Sequence, residues 1–159
     1  MLEMVSWTGR LRVASSRLQG LRWAAVAWIV VFWRLGYTTF LDPDEAHYAE
    51  ITREMLHSGS WFVPLLDGQP FIDKPVLFHW LQGVSMVLLG ETEFAGRLPS
   101  ALAAIALFVA TRRLGRTLFS DEVGEVGAIM FATIPATFAL SSIGLFDMVY
   151  TAFLFGALT

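Results

Sequence analysis

The stretch WAAVAWIVVFWRLGYTTFL, residues 23–41, runs directly into DPDEAHYAE, residues 42–50. Its 19 residues contain one charge, Arg34, and as a helix they are long enough to cross a bilayer core of about 30 Å. The second stretch holds four carboxylates: Asp42, Asp44, Glu45 and Glu50. This border predicts a membrane helix that ends in an acidic loop outside the bilayer.

The composition of the 159 residues also requires an apolar environment. Hydrophobic residues make up 55% of the chain and charged residues only 16%, which is more apolar side chain than a soluble domain of this size can bury. The sequence has no cysteine, which excludes disulfides and thiolate metal sites. No basic patch with interleaved aromatics exists beyond the N-terminal arm, so nucleic acid is not an expected partner.

Charge is distributed asymmetrically along the chain. Residues 1–22 carry four arginines and one acid, whereas residues 42–75 carry seven acids and two bases. Because basic segments are retained on the cytoplasmic side, we expect a cytoplasmic arm and an extracytoplasmic acidic loop. The expected protein is therefore an integral membrane protein with a cytoplasmic N-terminus.

Three more apolar stretches follow, over residues 76–90, 94–111 and 123–143. The basic cluster of Arg112, Arg113 and Arg116 should face the cytoplasm, so the stretch before it must cross inward. If residues 76–90 also crossed, these arginines would lie outside. We therefore expect this short stretch to form a juxtamembrane or re-entrant helix on the outer side, and residues 123–143 to cross outward with a kink at Pro135.

The predicted fold class is an all-α, multi-pass transmembrane protein. We expect a cytoplasmic arm over 1–22, a transmembrane helix over 23–41, an outer loop with two juxtamembrane helices over 42–93, and transmembrane helices over 94–159. The last apolar helix begins at Met148 and is too short to cross a membrane. We therefore expect the N-terminal part of a larger protein or a truncated gene product.

The acidic cluster at the border has the pattern of a helix start. Asp42 suits the N-cap, Pro43 the first helical position, and Glu45 the third position of a capping box. The helix should present the apolar stripe Tyr48, Ile51 and Met55 to the membrane surface and end near residues 58–59. For Asp42 and Glu45, capping is the favoured interpretation.

Three other charged residues should reach the same outer border as Asp44. Asp73 and Lys74 precede the juxtamembrane helix, and Asp147 follows the fourth apolar stretch. A lysine at a membrane border suits a phosphate headgroup, although simple snorkelling of its side chain remains the alternative. The carboxylates can bind a divalent cation, with Asp73 and Asp147 as candidate ligands, or take a proton from an attacking hydroxyl.

The segment DPDEAHYAEITREMLHSGSWFVPLLDGQPFIDKPVLFHWLQ and the later FAGRLPSALAA resemble a known family. They are similar to the polyprenyl-phosphate-sugar-dependent glycosyltransferases related to protein O-mannosyltransferases, a GT-C-type group, and most of all to the aminoarabinose lipid A transferase branch. The resemblance covers roughly residues 20–159. Two positions depart from the usual pattern, because His47 stands where arginine is common and Asp73 where glutamate is common.

The resemblance implies an extracytoplasmic active site that transfers a sugar, with inversion, from a polyprenyl phosphate to a lipid A-like or protein acceptor. Asp44 matches the catalytic aspartate of the first outer loop, and Asp147 the second acidic position. Lys74, paired with Asp73, matches the residue near the donor phosphate. A divalent metal is a possible cofactor. The expected partners are membrane lipid, the polyprenyl-linked sugar and the acceptor.

Two other classes of function remain open at this point. An inactive fragment or membrane anchor fits the short chain, and a transporter segment would also place ionisable residues at membrane borders. The transferase interpretation makes one geometric prediction that the others do not. The carboxylates of Asp44 and Asp147 should line one outward-facing cavity, within about 12 Å of each other, with the Asp73–Lys74 turn at its rim.

Overall fold

The computed structural model of the protein describes residues 31–41 and 43–158, together with Ala25, Trp28 and Ile29. Residues 31–34 are helical, and the later elements are α1 (Asp44–Ser58), β1 (Leu65–Leu66), β2 (Gln69–Pro70), α2 (Leu77–Leu89), α3 (Glu93–Leu118), α4 (Asp121–Thr133), α5 (Pro135–Ser141) and α6 (Asp147–Leu158). The predicted all-α class is confirmed. The predicted arm 1–22, five residues of the predicted helix 23–41 and Asp42 lie outside the described residues. Residues 35–41 are not helical, so the predicted helix ends earlier than expected.

Helix α1 begins one residue later than the capping pattern predicts. Its N-cap is Pro43, which makes no side-chain capping hydrogen bond, and the helix ends at Gly59 in the left-handed conformation that glycine favours. The apolar stripe of Tyr48, Ile51 and Met55 is buried in the protein, which corrects the prediction that it lies on the membrane surface. It packs with Phe78 of α2 and Val149 of α6, since their apolar side chains cover it more completely than a surface would.

A two-stranded antiparallel hairpin lies between α1 and α2, and the sequence analysis did not predict it. Asp67 and Gly68 form its turn with positive φ angles of 54° and 73°, as expected for an Asp-Gly pair. The Glu54 carboxylate of α1 accepts hydrogen bonds from the backbone N–H groups of Asp67 (2.7 Å) and Gly68 (3.2 Å). The hairpin is therefore tied to α1.

A buried polar network joins α1, α2 and α3. Gln82 Nε2 donates to the Gly96 carbonyl at 2.9 Å. The other end of the same amide, Gln82 Oε1, accepts a hydrogen bond from Thr52 Oγ1 at 2.5 Å. Thr52 Oγ1 also lies 2.9 Å from His79 Nδ1 and 3.0 Å from the Tyr48 carbonyl. Burial lowers the pKa of His79 from 6.5 to about 4, so its ring is neutral at pH 7. This pattern places the ring proton on Nδ1, where Thr52 accepts it.

Helix α3 is the longest element, with 26 residues. The Thr92 hydroxyl caps its start by accepting from the Ala95 N–H. It continues through the cluster of Arg112, Arg113 and Arg116 to Leu118, beyond the predicted end at residue 111, because cationic side chains near a helix C-terminus favour the helix rather than end it.

Helices α3 and α4 pack closely at a pair of glycines. A Cβ atom on Gly124 would lie 2.5 Å from the Arg112 carbonyl oxygen, and one on Gly115 would lie 2.6 Å from the Gly124 Cα. The absence of side chains therefore permits this approach. After α4, Ile134 separates it from α5, which begins at Pro135, and the two helices are bent by 64°. The bend confirms the kink predicted at this proline.

By length and composition, α3 is the one helix in the described part of the chain that is suited to cross a membrane by itself. Helices α4 and α5 meet the same criteria only as a bent pair, and α2 and α6 are apolar but shorter. The short α2 agrees with the helix predicted over residues 76–90. Its position on the outer side stays a prediction.

Candidate active site

Asp44 and Glu45 open helix α1 and point in different directions. The Asp44 side chain is exposed, whereas Glu45 is 1% exposed. Successive residues on a helix are rotated by about 100°, so the two carboxylates cannot share one environment. The capping interpretation of Glu45 is therefore incomplete, since its carboxylate faces the interior of the protein.

The Glu45 carboxylate is held by four N–H groups. Oε1 accepts from Arg97 Nε (2.7 Å) and from the Gly144 backbone N–H (2.6 Å). Oε2 accepts from Arg97 Nη2 (2.9 Å) and from the Leu41 backbone N–H (2.8 Å). These four bonds use the full accepting capacity of a carboxylate. Burial by itself raises the pKa of Glu45, but these bonds and the charge of Arg97 together hold it below 4.5.

Arg97 is buried to the same extent and satisfies its remaining donors on backbone carbonyls. Nη1 donates to Leu35 O and Thr38 O, both at 2.8 Å, and Nη2 donates to Thr39 O at 2.9 Å. The Phe40 ring lies against the guanidinium, 5.4 Å from its carbon to the ring centroid. Arg97 thus joins α3 to the irregular segment before α1.

The sequence analysis did not single out Arg97. One signal was available, because Arg97 is the only charged residue of α3 between Glu93 and Arg112. An arginine in such an apolar segment is costly unless it is paired.

The turn that carries Asp73 and Lys74 lies against the start of α6. The Tyr150 hydroxyl donates to the Pro75 carbonyl at 2.7 Å. Lys74 Nζ lies 5.2 Å from the centroid of the Phe146 ring, next to Asp147 in sequence, and 3.4 Å from an Asp73 carboxylate oxygen. Asp147 is exposed in the first turn of α6.

The charges of all four predicted site residues act on the Tyr48 hydroxyl. Burial is the largest contribution that raises the pKa of the Tyr48 hydroxyl, and the charges of Asp44, Asp73 and Asp147 raise it further while Lys74 opposes them. The Tyr48 ring contacts the Phe146 ring edge to face, with centroids 5.6 Å apart. The sequence analysis treated Tyr48 only as part of an apolar stripe and did not expect it at the site.

Several expected features are not assembled by these residues. Among the described residues, no group of three histidine, aspartate or glutamate side chains is arranged to hold a metal ion. Asp73, one of the two predicted ligands, instead pairs with Lys74. The metal stays a prediction, and no step below depends on it.

A separate apolar groove of about 760 Å³ runs between α2, α3 and α6, and none of the four predicted residues lines it. Its walls include Val84, Leu88, Leu102 and Phe153, which are more than a third exposed.

A protein family described as dolichyl-phosphate-mannose-protein mannosyltransferase matches residues 73–159 of the chain. The chain belongs to this family. The matched region includes Asp73, Lys74, Arg97 and Asp147, whereas Asp44 precedes it.

Curated relatives of the chain have a more specific description. It is 43% identical over 83 residues to the undecaprenyl phosphate-alpha-4-amino-4-deoxy-L-arabinose arabinosyl transferase of Shewanella sediminis, which covers 50% of the chain and 15% of that protein. It is 30% identical over 146 residues to the transferase of the same description from Serratia proteamaculans, which covers 86% of the chain and 25% of that protein. The chain therefore spans a quarter or less of the length of these relatives.

Solved structures share the fold. ArnT from Cupriavidus metallidurans in the apo state superposes with a TM-score of 0.80 at 24% identity, over 91% of the chain and 26% of that protein. ArnT bound to undecaprenyl phosphate gives a TM-score of 0.79 at 25% identity, over 87% and 25% respectively. The arrangement of helices described above thus also occurs in part of ArnT.

Proposed function

We propose that the chain forms part of a membrane glycosyltransferase that moves a sugar from a polyprenyl phosphate to an acceptor on the extracytoplasmic side of a bacterial inner membrane. The observation that carries this proposal is that the Asp73–Lys74 turn meets the start of α6 at Phe146, next to Asp147, where Phe146 also contacts Tyr48 of the helix that Asp44 opens. Family membership supports a polyprenyl-phosphate donor, and the relatives support undecaprenyl phosphate and an aminoarabinose group. A lipid A-like molecule is the proposed acceptor, with a protein hydroxyl as the alternative.

In this proposal, Lys74 offsets the charge of the donor phosphate. Its ammonium group has three donors, it lies at one edge of the cluster, and its side chain is 34% exposed, so an incoming phosphate can reach it. The Asp73 carboxylate at 3.4 Å and the Phe146 ring hold the ammonium group in place until the phosphate replaces part of that contact. A phosphate whose charge is met in this way is a better leaving group.

Asp44 is the proposed base. The acceptor oxygen attacks the anomeric carbon from the side opposite the phosphate, the bond from that carbon to the phosphate oxygen breaks, and the configuration inverts. If the acceptor is a hydroxyl, its proton passes to the Asp44 carboxylate, and the polyprenyl phosphate leaves with the electron pair of the broken bond. A phosphate acceptor needs no base, and Asp44 then serves to orient it.

Asp147 is proposed to bind the sugar or acceptor from the opposite side of the cluster. It stands at the start of α6, and its carboxylate is exposed like that of Asp44. An amino sugar would carry a positive charge, which two carboxylates on either side of it would favour. This offers a reason why the site has three acids and one lysine.

The proposal is tested by sugar transfer with the full-length protein in lipid nanodiscs, using undecaprenyl phosphate-linked aminoarabinose and, separately, a polyprenyl phosphate-linked hexose. We expect Asp44→Asn to reduce kcat by at least about 100-fold, the usual range for loss of a general base. Asp67→Asn is the matched control, since Asp67 is an exposed aspartate of the same loop and its φ of 54° suits asparagine. Full activity of Asp44→Asn would refute the assigned base.

A binding measurement tests the donor contact. Lys74→Met should weaken the binding of undecaprenyl phosphate while the protein still inserts into the membrane. Arg53→Met is the control, because Arg53 is another cation of the outer loop but pairs with Glu50 and Glu91. If Lys74→Met binds undecaprenyl phosphate like the unchanged protein, Lys74 is an interfacial side chain. Binding without any transfer by the unchanged protein would favour a non-catalytic anchor.

A further inference from the structure

The buried Glu45–Arg97 pair connects the two segments that carry the exposed acids. Glu45 follows Asp44 directly, and its carboxylate accepts from the backbone N–H of Gly144, three residues before Asp147. The segments are 99 positions apart in sequence, and the Glu45 carboxylate bonds them directly. Any shift of the 144–147 turn relative to α1 must therefore stretch a bond to Glu45.

We infer that the Glu45–Arg97 pair is a positioning device that sets the separation between the Asp44 and Asp147 carboxylates. This inference rests on the proposed function, because it assigns the pair a role in aligning two acids of that site. Neither Glu45 nor Arg97 touches the substrate in this account, since both are 1% exposed. They act through the backbone that carries the acids.

The bonding of the pair leaves little freedom for either side chain. Glu45 receives four N–H bonds between 2.6 and 2.9 Å, and every N–H of the Arg97 guanidinium has an acceptor within 2.9 Å. A planar guanidinium that binds a carboxylate through two nitrogens defines both distance and orientation. The pair therefore specifies one arrangement of the backbone around it.

Gly144 extends this constraint to the 144–147 turn. A Cβ atom on Gly144 would lie 3.1 Å from the Gly96 carbonyl oxygen and 3.2 Å from Glu45 Oε1. The backbone at Gly144 thus lies closer to Glu45 than a residue with a side chain would normally allow. The turn is held against the pair by a direct hydrogen bond and by the lack of a side chain.

A role in stability alone explains this arrangement less well. A buried ion pair is costly to desolvate, and apolar residues of similar size are often equally stabilising. The arrangement of two separated backbone segments around one carboxylate is a property that apolar residues do not supply. This is the feature that a site with two facing acids needs.

Glu45→Gln and Arg97→Lys test the inference in the full-length protein. Glutamine keeps the size of Glu45 but directs an NH2 group at N–H donors, and lysine keeps the charge of Arg97 but loses the planar fork. We expect kcat to fall by about 100-fold, as for a misplacement near 1 Å. We expect the dissociation constant for undecaprenyl phosphate to stay within about threefold, because the Lys74 turn makes no bond to the pair.

A distance measurement separates positioning from stability. The sequence has no cysteine, so spin labels can be placed at the exposed Ser58 of α1 and Thr151 of α6 through two introduced cysteines. In the unchanged background we expect one narrow distance distribution. Glu45→Gln should broaden or shift it at a temperature well below unfolding. A pair that only stabilises the fold would lower the unfolding temperature and leave the distribution unchanged, which would overturn the inference.

Parallel variants keep the two proposals distinguishable. If Asp44→Asn and Asp147→Asn lose transfer while Glu45→Gln and Arg97→Lys keep full kcat, the positioning inference is wrong and the proposed function stands. If Asp44→Asn and Asp147→Asn keep full transfer, the assigned site is wrong and the inference fails with it, whereas no transfer by the unchanged protein would refute the proposed function. Gly144→Ala is a milder perturbation that leaves both charges intact, and it should give an intermediate loss of kcat.

Discussion

Replacing Thr52 by valine removes one hydroxyl from the buried network and keeps the shape of the side chain. Gln82 Oε1 then loses its donor and His79 Nδ1–H loses its acceptor, and a buried polar group without a partner costs about 1–3 kcal/mol. A methyl group would also stand where Oγ1 now lies, 2.5 Å from Gln82 Oε1. We expect a loss of about 2–4 kcal/mol in the free energy of unfolding.

Chemical denaturation of the protein in detergent micelles measures this loss, and two variants serve as controls. Thr52→Ser keeps the hydroxyl and removes one methyl, so it should cost only about 1 kcal/mol. Thr133→Val makes the same change at an exposed hydroxyl that bonds within its own helix, and it should stay within about 0.5 kcal/mol of the original. If Thr52→Val lies within about 0.5 kcal/mol as well, the network does not hold α1, α2 and α3 together.

Three further predictions concern packing, pH and topology. Gly124→Ala should cost about 1–3 kcal/mol by forcing α3 and α4 apart, and unchanged thermal stability would contradict the close approach. Arg97→Met removes the charge and two of the four bonds that hold the pKa of Glu45 below 4.5, so Glu45 is harder to keep charged. The loss in free energy of unfolding caused by Arg97→Met should therefore become smaller as pH falls from 7 toward 4, because protonation of Glu45 costs the variant less than the original protein. A loss that does not change with pH would exclude Glu45 as its cause. A reporter fused after α1 should read outside and one fused after Arg116 inside, and an outside signal from the second would refute the juxtamembrane assignment of α2.

Local features of the fold were predictable because they depend on neighbouring residues. Gly59 ends α1 and Pro135 starts a bent helix, and both effects are backbone properties of those residues. The hairpin was missed although its Asp67-Gly68 pair is a strong turn signal. The end of α3 was placed too early because the arginines after residue 111 were read as a boundary, whereas arginine propagates a helix well.

The sequence indicated the acids and the lysine of the candidate site, which stay predictions, but not the residues that hold them. Asp44, Lys74 and Asp147 were found from their chemistry at a membrane border and from a family resemblance. Glu45 and Arg97 are 52 positions apart, so no helical or strand period in the sequence relates them. Tyr48 was assigned to the core because periodicity identifies the buried face of a helix. It does not report which charges lie near a hydroxyl at the edge of that face.

The direction of Asp44 follows from the burial of its neighbour. The bonds of Glu45 to Arg97 and Gly144 fix the rotation of α1 about its own axis, since the helix cannot turn without breaking them. Asp44 precedes Glu45 by one residue and so lies about 100° around the axis, which is the side that faces water. The burial of Glu45 therefore exposes Asp44 in a defined direction. The adjacency of aspartate and glutamate in the sequence has a structural meaning that neither residue has alone.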